Sequence, residues 1–378
     1  MKIEVAKSDL EAALKIVGIT VGSGNDLSSH YLFRYRDGAC EVMSYDMRVF
    51  SRAPLLGSRV EASEGEAVTA EAWRLDKWIS SVGSGALTLS SGEGGEVIAK
   101  GPRSRIKLRS LDASRFPFWD GLLSTAKSLG NANPSILHRA INLSKVFVSS
   151  DDTNRPEICQ IEARGGVIQA TNRRAVSNVT VQSVPDLALR ISGKDLTVAL
   201  KFLNDKVTQA GDIEVLIPSR DGEKPSGTVF SRPDGSYVGI TMPTLAMPSF
   251  PVDEEEREMS ITLDVKEFMG AVDVLLASAP KGHGDVTFFA KNSALVVQMP
   301  SAAGGEDEYP LEVSTESGLG DTSFSIDYAY IKSLSDLFDL DTIELGVHKR
   351  GRGGYVSFLH EDGGEKGNRY FTVIVWRK

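Results

Sequence analysis

The sequence lacks the features that mark membrane-spanning and disulfide-stabilised proteins. No apolar run approaches the roughly 18–20 residues that a membrane-spanning helix needs. The N-terminal stretch MKIEVAKSDLEAAL has the pattern of a strand followed by an amphipathic helix, which is not that of a secretory signal. The two cysteines, Cys40 and Cys159, lie in separate apolar strand patterns. We therefore expect buried free thiols and a reducing, cytoplasmic setting.

Signatures of catalysis are also missing. The chain has no GxxxxGK[ST] loop that could hold nucleotide phosphates. Its five histidines show no metal-ligand spacing with the two cysteines. No pair of acidic residues stands out from an apolar surrounding as a general acid–base couple would. We expect neither an enzyme nor a bound metal or cofactor.

An excess of positive charge is absent as well, since the formal net charge is −9. A protein that coats nucleic acid is usually basic, so the total argues against that class. A local basic patch remains compatible with the total, because the distribution of charge decides where an anion binds. The length of 378 residues, with 41% hydrophobic and 25% charged residues, is typical of two or three ordinary globular domains.

What the sequence does contain is an internal repeat. The segment Ser104–Asp120, SRIKLRSLDASRFPFWD, returns at Tyr237–Asp253 as YVGITMPTLAMPSFPVD. When the two Phe-Pro pairs are superposed the offset is 134 residues, so that Ile106 matches Ile240. The same offset leads on to Ile374 in the C-terminal YFTVIVWRK. One apolar closing strand thus occurs three times at one spacing, and a fixed period of this kind predicts a repeat-built fold.

Helical patterns follow a shorter period. Amphipathic helices are predicted to start near residues 7, 71, 134, 193, 264 and 326, and the first runs over 7–21 with Ser8 as its N-cap. Short strands follow each helix, among them 30–36 and 39–46, which flank the hairpin signal Asp37-Gly38. Strands that are joined by turns pair antiparallel. The predicted fold is therefore α+β, with antiparallel sheets that carry helices on one face.

The repeat also predicts the domain organisation. Three domains are expected at 1–120, 134–252 and 259–378, each made of two half-units of a helix followed by antiparallel strands. The polar segment 121–133 and the acidic segment 253–258 are expected to be linkers. Three unrelated α+β domains are the alternative, and the shared spacing of the apolar positions argues against it.

These segments together resemble the bacterial DNA polymerase III beta subunit, the DNA sliding clamp. The resemblance covers nearly the whole chain. The order and spacing of the segments that carry it are more specific than any one segment. The pieces are MKIEVAKSDLEAAL, GPRSRIKLRSLDASRFPFWD, TNRPE at 153–157, IQATNRRAV at 168–176, SFP at 249–251 and a C-terminal strand that ends in Arg377-Lys378. The resemblance implies that two chains pair head to tail into a closed ring around duplex DNA. Such a ring is a passive processivity factor for replication, which holds a DNA polymerase on its template.

The resemblance implies that basic residues of the helices contact DNA without regard to sequence. The four predicted helices of the first two repeats carry nine basic and six acidic residues, whereas the whole chain is negative. The expected DNA-binding residues are Lys7, Lys15, Arg74, Lys77, Arg139, Lys145, Lys194 and Lys201. The alternative is an ordinary solvated helix face of mixed charge.

Closure of a ring needs two complementary edges. Positive residues crowd the last strands of the first repeat, and negative residues crowd one segment of the third. Opposite charge favours head-to-tail pairing and fixes its register. By resemblance, Ile106 and Leu108 meet Leu275 and Leu276 of a second chain. The charged residues expected around this contact are Lys100, Arg103 and Arg105 on one side and Glu306, Asp307 and Glu308 on the other. The alternative is an edge kept soluble by its charges.

Clamps of this family bind short peptides of polymerases and clamp loaders in a cleft between their second and third domains. By resemblance the cleft is formed by Arg155, Thr171, Arg173, Arg174, Val176, Pro248, Pro251, Asp327, Tyr330, Ile374, Val375 and Trp376. Two departures stand out. The loop ATNRRAV is shorter than the family's Thr-Asp-Gly-containing loop, and VIVWRK replaces a Met-Pro-containing ending. A different peptide preference is expected, which would suit a phage-encoded clamp.

The sequence also leaves open a second class of function. A chain built from repeats could be a structural or assembly protein that never touches DNA. Retention on circular DNA separates the two classes, because only a ring is lost when the circle is cut.

Overall fold

The computed structural model describes residues 1–24, 26–150, 153–220, 224–248, 257–291, 294–315, 323–350, 353–361 and 369–376. The chain divides into two compact units. The first contains Met1–His138 and Ala188–Thr244, and the second contains Arg139–Leu187 and Leu245–Lys378. No helix of the described part is long and apolar enough to span a membrane.

The helices of the described residues, α1 to α7 in chain order, are Lys7–Val17, Ala72–Ser81, Asp120–Leu123, Pro134–Val146, Leu196–Leu203, Val265–Leu276 and Tyr328–Phe338. All six helices that the sequence predicts are confirmed, and the short α3 is an addition.

The strands β1 to β14 are Lys2–Ala6, His30–Arg36, Ala39–Asp46, Val49–Pro54, Arg59–Glu61, Ala67–Glu71, Ala86–Ser91, Val97–Gly101, Ser104–Leu108, Lys127–Ala132, Gln160–Arg164, Val167–Thr171, Ala175–Thr180 and Leu189–Ser192. The strands β15 to β28 are Ile213–Ile217, Ser219–Arg220, Lys224–Pro225, Gly227–Ser231, Tyr237–Thr241, Met259–Asp264, Asp285–Lys291, Ala294–Pro300, Glu306–Leu311, Val313–Thr315, Ser323–Asp327, Thr342–Arg350, Gly353–Glu361 and Arg369–Trp376.

Two larger antiparallel sheets and a two-stranded sheet, β16–β17, lie in the first unit. One has the strand order β5–β1–β7–β8–β9, and the other has the order β10–β15–β18–β19–β4–β3–β2–β6. In the larger sheet β4 pairs with β19, so that Val49 lies opposite Ile240. The predicted hairpin at Asp37-Gly38 is confirmed, because both residues have the positive φ that a two-residue hairpin turn requires.

Helix α1 illustrates why the predicted helices form. Its apolar residues recur every three or four positions, and Leu10, Leu14 and Val17 are buried against the sheet. The predicted N-cap is wrong: Ala6 is the N-cap residue, and no side chain caps the helix. At the other end the Val17 carbonyl accepts hydrogen bonds from nearby buried hydroxyl groups. These bonds satisfy a backbone acceptor that has no partner within the helix.

The second unit is also built from antiparallel sheets. One sheet has the order β11–β12–β13–β28–β27–β26–β20–β24, and the other has the order β23–β22–β21–β25. Helix α6 packs on β22 and β23, and α7 packs on β25. Stacked rings of Phe268, Phe288 and Phe324 fill the space between α6 and the smaller sheet. Helix α7 begins at Asp327, whose carboxylate accepts the backbone N–H of Ala329 at 2.9 Å.

Three segments differ from the sequence-based expectation. The segment 121–133, expected to be a linker, contains β10, which pairs with β15. Lys194 lies in a turn before α5 rather than within the helix. Cys159 follows a short 3₁₀ helix and is only half-buried, whereas Cys40 is buried as expected; neither of these two cysteines is in a disulfide.

Candidate nucleic-acid interface, partner cleft and ring-closing edges

Three helices of the first unit present cations on one exposed layer. A groove of about 290 Å³ separates α1 from α2, and a second groove of about 320 Å³ separates α1 from α5. Lys15 borders both grooves, and Lys201 borders the second. We call the exposed faces of α1, α2 and α5 the helix layer. Lys77 on α2 is exposed and makes no ion pair with any residue that the structure describes.

Some cations of the helix layer already have partners. Lys15 Nζ lies 2.5 Å from the Asp205 carboxylate, although 67% of the lysine side chain is exposed. Arg74 lies 3.9 Å from Glu71. Lys7 donates to the Val82 carbonyl at 2.7 Å and is only 19% exposed. The ammonium group of Lys7 is therefore less accessible to a ligand than the sequence alone suggests.

Two acidic residues near these helices have hydrogen-bond partners within the fold. Asp195 is buried and accepts from the Arg48 Nε at 3.1 and 3.2 Å. Burial raises the pKa of Asp195, and Arg48 opposes that rise. Burial likewise raises the pKa of Asp76, which accepts from the Tyr31 hydroxyl at 3.0 and 3.1 Å.

The two remaining predicted DNA-binding residues belong to the second unit. The Arg139 guanidinium lies 5.9 Å from the ring centre of Phe338, within the range of a cation–π contact. Lys145 is exposed in the last turn of α4.

A tight loop between β12 and β13 carries several residues of the predicted cleft. Thr171 is buried, and its hydroxyl donates to the Ala175 carbonyl at 2.9 Å. Arg173 has a left-handed backbone conformation with φ of 74°, and both Arg173 and Arg174 are exposed. Val176 is half-buried on β13. The loop thus directs two guanidinium groups to solvent from a rigid base.

The residue that fixes this loop is Asn172, which the sequence analysis did not single out. Its amide oxygen accepts the backbone N–H groups of Arg174 and Ala175 at 3.0 and 2.9 Å. Its amide nitrogen donates to the Tyr330 hydroxyl at 2.7 Å. Tyr330 is buried on α7, and its ring stacks on Phe147 at 5.3 Å between ring centres. Burial raises the pKa of Tyr330, which keeps its hydroxyl protonated.

Strand β28 lies beside the same loop. Its residue Ile374 is opposite Ala175 on β13 and Val356 on β27. Val375 and Trp376 continue the strand opposite Tyr355 and Gly354. The structure therefore brings the backbone of these three predicted cleft residues next to the β12–β13 loop.

A second segment of the cleft is held across β11. Gln160 donates to the Leu245 carbonyl and Arg164 donates to the Met247 carbonyl, both at 2.8 Å. Glu162 accepts from the Met247 N–H at 2.6 Å. These three polar side chains alternate along β11 and so lie on one face of the strand. They leave Pro248 exposed at the end of the segment.

The other predicted cleft residues are placed separately. Arg155 is exposed and lies 3.4 Å from Glu157, and Asp327 caps α7 as described above. Pro251 lies outside the described residues, as does the Phe-Pro pair to which it belongs.

The predicted basic edge is an edge strand. Among the strands of the described residues, β9 pairs only with β8. Lys100 lies opposite Arg105 across this pair, and both side chains are exposed, as is Arg103. Ile106 is half-buried. Leu108, in contrast, is fully buried in its own unit, so its expected contact with a second chain is wrong.

The predicted acidic edge is also an edge strand, since in the described part of the chain β23 pairs only with β22. Glu306 and Glu308 are exposed, whereas Asp307 accepts a hydrogen bond from Ser278 beside α6. On α6, Leu275 is buried and is not available to a partner, which corrects the second expected contact, and Leu276 is half-buried. Val274, which the sequence analysis passed over, is 61% exposed.

Among the described residues, no group of three or more His, Cys, Asp or Glu side chains could hold a metal ion.

Comparison with known proteins was made at the levels of sequence and structure. No family model matches the sequence. No curated protein matches it either. Solved structures do match, over the whole chain and at low sequence identity. The DNA polymerase III subunit beta from Pseudomonas aeruginosa has a TM-score of 0.81 at 15% identity, with 100% of both chains covered.

Two further bacterial proteins give the same result. The DNA polymerase sliding clamp from Bacillus subtilis has a TM-score of 0.80 at 14% identity, and the DNA polymerase III beta subunit from Thermotoga maritima has a TM-score of 0.78 at 14% identity. Each match covers 100% of this chain and 99% of the other. Because the agreement in structure extends over the full length, this chain has the sliding-clamp fold, an α+β fold of repeated antiparallel units.

Proposed function

We propose that this protein is a DNA sliding clamp, a non-enzymatic processivity factor that encircles duplex DNA and tethers a DNA polymerase. The observation that carries the proposal is the full-length agreement in fold with DNA polymerase III beta subunits. The cations of the helix layer support it, since they supply a local positive surface on a chain of net charge −9.

The chemistry of the helix layer fits a tether that slides. Lys15, Lys77 and Lys201 offer flexible ammonium groups, which contact phosphates without reading base sequence. A topological link allows each contact to be weak, so the ring can move along the duplex. Binding through such contacts falls steeply with salt, because each phosphate contact releases condensed counterions.

Ring closure by a homodimer is part of the proposal. The basic edge strand β9 of one chain and the acidic edge strand β23 of a second are complementary in charge, and each has an unpaired side. After the corrections above, Ile106 and Leu276 remain as the apolar contacts, and exposed Val274 joins them.

The cleft is proposed to bind short peptide segments of a polymerase and of a clamp loader. The β12–β13 loop, β28 and the Leu245–Met247 segment form walls that are fixed before any peptide arrives. Because such a cleft is rigid and has few polar groups, the protein loses little conformational entropy when a peptide binds. The altered loop and C-terminal strand support a peptide preference of its own. Origin in a phage genome and a cytoplasmic location are parts of this proposal, and the former rests on the altered cleft alone.

The deciding experiment is topological. The protein is loaded on nicked circular DNA, and the circle is then cut to a linear form. A ring stays on the circle and is lost from the cut ends, while uncut circles serve as the matched control. Equal retention on both forms contradicts the proposal and favours a structural or assembly protein that does not encircle DNA.

The cleft has a separate test. Arg174→Glu reverses an exposed charge on the β12–β13 loop and should reduce the capture of polymerase and loader peptides in a pull-down. Lys332→Glu is the matched control, because Lys332 is an exposed cation of α7 that pairs with Asp336. Equal loss in both variants would mean that total charge, and not the cleft, decides capture.

A further inference from the structure

One side chain of the helix layer is not explained by a simple phosphate-binding surface. Trp73 on α2 is 60% exposed, although it carries one of the two largest apolar side chains of the helix. Its neighbour Trp78 is buried and donates its indole N–H to Ser104 at 2.9 Å. The two tryptophans thus face opposite ways, and only Trp78 supports the core.

The position of Trp73 on α2 places it among the cations. The buried residues of the helix are Ala72, Leu75, Trp78 and Ile79. At about 100° per residue, Trp73 and Lys77 lie one turn apart at the middle of the opposite face. Arg74 flanks them and is exposed. An aromatic ring therefore lies between positive groups on the face that the proposed function turns toward DNA.

The indole ring is already oriented. Its N–H donates to the Glu71 carboxylate at 2.7 Å, and the same carboxylate lies 3.9 Å from Arg74. This hydrogen bond uses the edge of the ring. No aromatic ring in the described part of the chain stacks on either face. Because 60% of the side chain is exposed, part of the ring surface is open to a flat ligand at a small cost in side-chain entropy.

The chemistry points to a particular form of nucleic acid. Base faces in an intact duplex are covered by their neighbours, so an indole ring finds only sugars and phosphates there. Unpaired bases expose their faces, and stacking on an aromatic side chain binds them without regard to sequence. We propose that Trp73, with Arg74 and Lys77, is a stacking site for an unpaired base of single-stranded DNA adjoining the duplex. This inference rests on the proposed function, because it takes the helix layer as the DNA-facing surface.

The test compares two fluorescent DNA probes at low salt. One is a blunt duplex, and the other is the same duplex with a single-stranded oligothymidylate overhang. The full-length protein should prefer the probe with the overhang, and its tryptophan fluorescence should fall as that probe binds. Trp73→Leu should weaken binding of the overhang probe roughly five- to hundredfold, to the level of the blunt probe. Trp73→Phe retains a ring and should retain most of the preference.

The controls separate this inference from the proposed function. Leu56→Ala shortens another side chain that is about equally exposed and should change neither affinity. Lys201→Ala removes a phosphate contact and should weaken both probes alike. If Trp73→Leu behaves as the unaltered protein, or weakens both probes equally, the stacking site is refuted and the clamp proposal stands. If neither probe shows salt-dependent binding, the stacking site is refuted, and the clamp proposal is decided by retention on circular DNA.

Discussion

The hydrogen bond between Asn172 and Tyr330 joins the β12–β13 loop to α7, and its removal should loosen the cleft. Asn172→Ala removes that bond and the two bonds from Arg174 and Ala175 to the amide oxygen. At about 1 kcal/mol for each bond, the free energy of unfolding should fall by about 3 kcal/mol. Tyr330→Phe removes only the bond at 2.7 Å and keeps the stack on Phe147, so it should cost about 1 kcal/mol.

The two changes form a double-mutant cycle measured by urea denaturation. The coupling energy between Asn172 and Tyr330 should be about 1 kcal/mol, because both single changes remove the same bond. Peptide capture by the double variant should fall no further than capture by Asn172→Ala. A coupling energy near zero would refute the view that this bond anchors the loop. Unchanged peptide capture by both single variants would show that the anchor does not serve the cleft.

Three further predictions concern the sheets and the proposed ring. Gly239→Ala places a methyl group where a Cβ would lie 2.0 Å from the Phe50 ring, so it should cost roughly 1–3 kcal/mol by chemical denaturation, and Phe50→Leu in the same chain should recover part of the loss. Arg48→Met leaves the buried Asp195 carboxylate without its cation. Because Arg48 is 54% exposed, the loss at neutral pH should lie below the roughly 3–5 kcal/mol of a fully buried pair. The raised pKa of Asp195 means that the folded state holds this proton more tightly than the unfolded state. The loss should therefore shrink as pH falls through that pKa, and a loss that is constant with pH would contradict the assignment. Ile106→Lys should give monomers by light scattering, whereas Thr88→Lys on an interior strand of the same sheet should not.

The parts of the fold that the sequence predicted well are those with local causes. Strands 30–36 and 39–46 have the predicted bounds, because alternating apolar residues and an Asp-Gly turn act within one hairpin. Strand β10 was missed because its residues KSLGNA carry no apolar pattern. It is a strand only because β15 supplies its hydrogen bonds, and that partner lies far along the chain.

In the candidate cleft too, features with local causes were predicted and features that depend on distant residues were not. Arg173 and Arg174 were expected from the resemblance to sliding clamps, but the role of Asn172 depends on Tyr330, which is distant in sequence and close in space. Ile106 and Leu108 lie two positions apart on β9, so the sequence pattern gives them the same face of the strand. Only the structure reveals that Leu108 is buried and that Ile106 is half-buried. An Asn followed by exposed arginines in a tight turn is a signal that could have found the loop anchor.

The pairing of β4 with β19 has a consequence for how the chain is made. Val49 is synthesised roughly 190 residues before Ile240, so β4 cannot pair with β19 until the chain has grown that far. Until then β4 is an unprotected edge, to which a strand of another nascent chain can add. Newly made protein should therefore depend on chaperones for longer than a chain whose sheets close locally, and its yield should respond to expression temperature more than its final stability suggests.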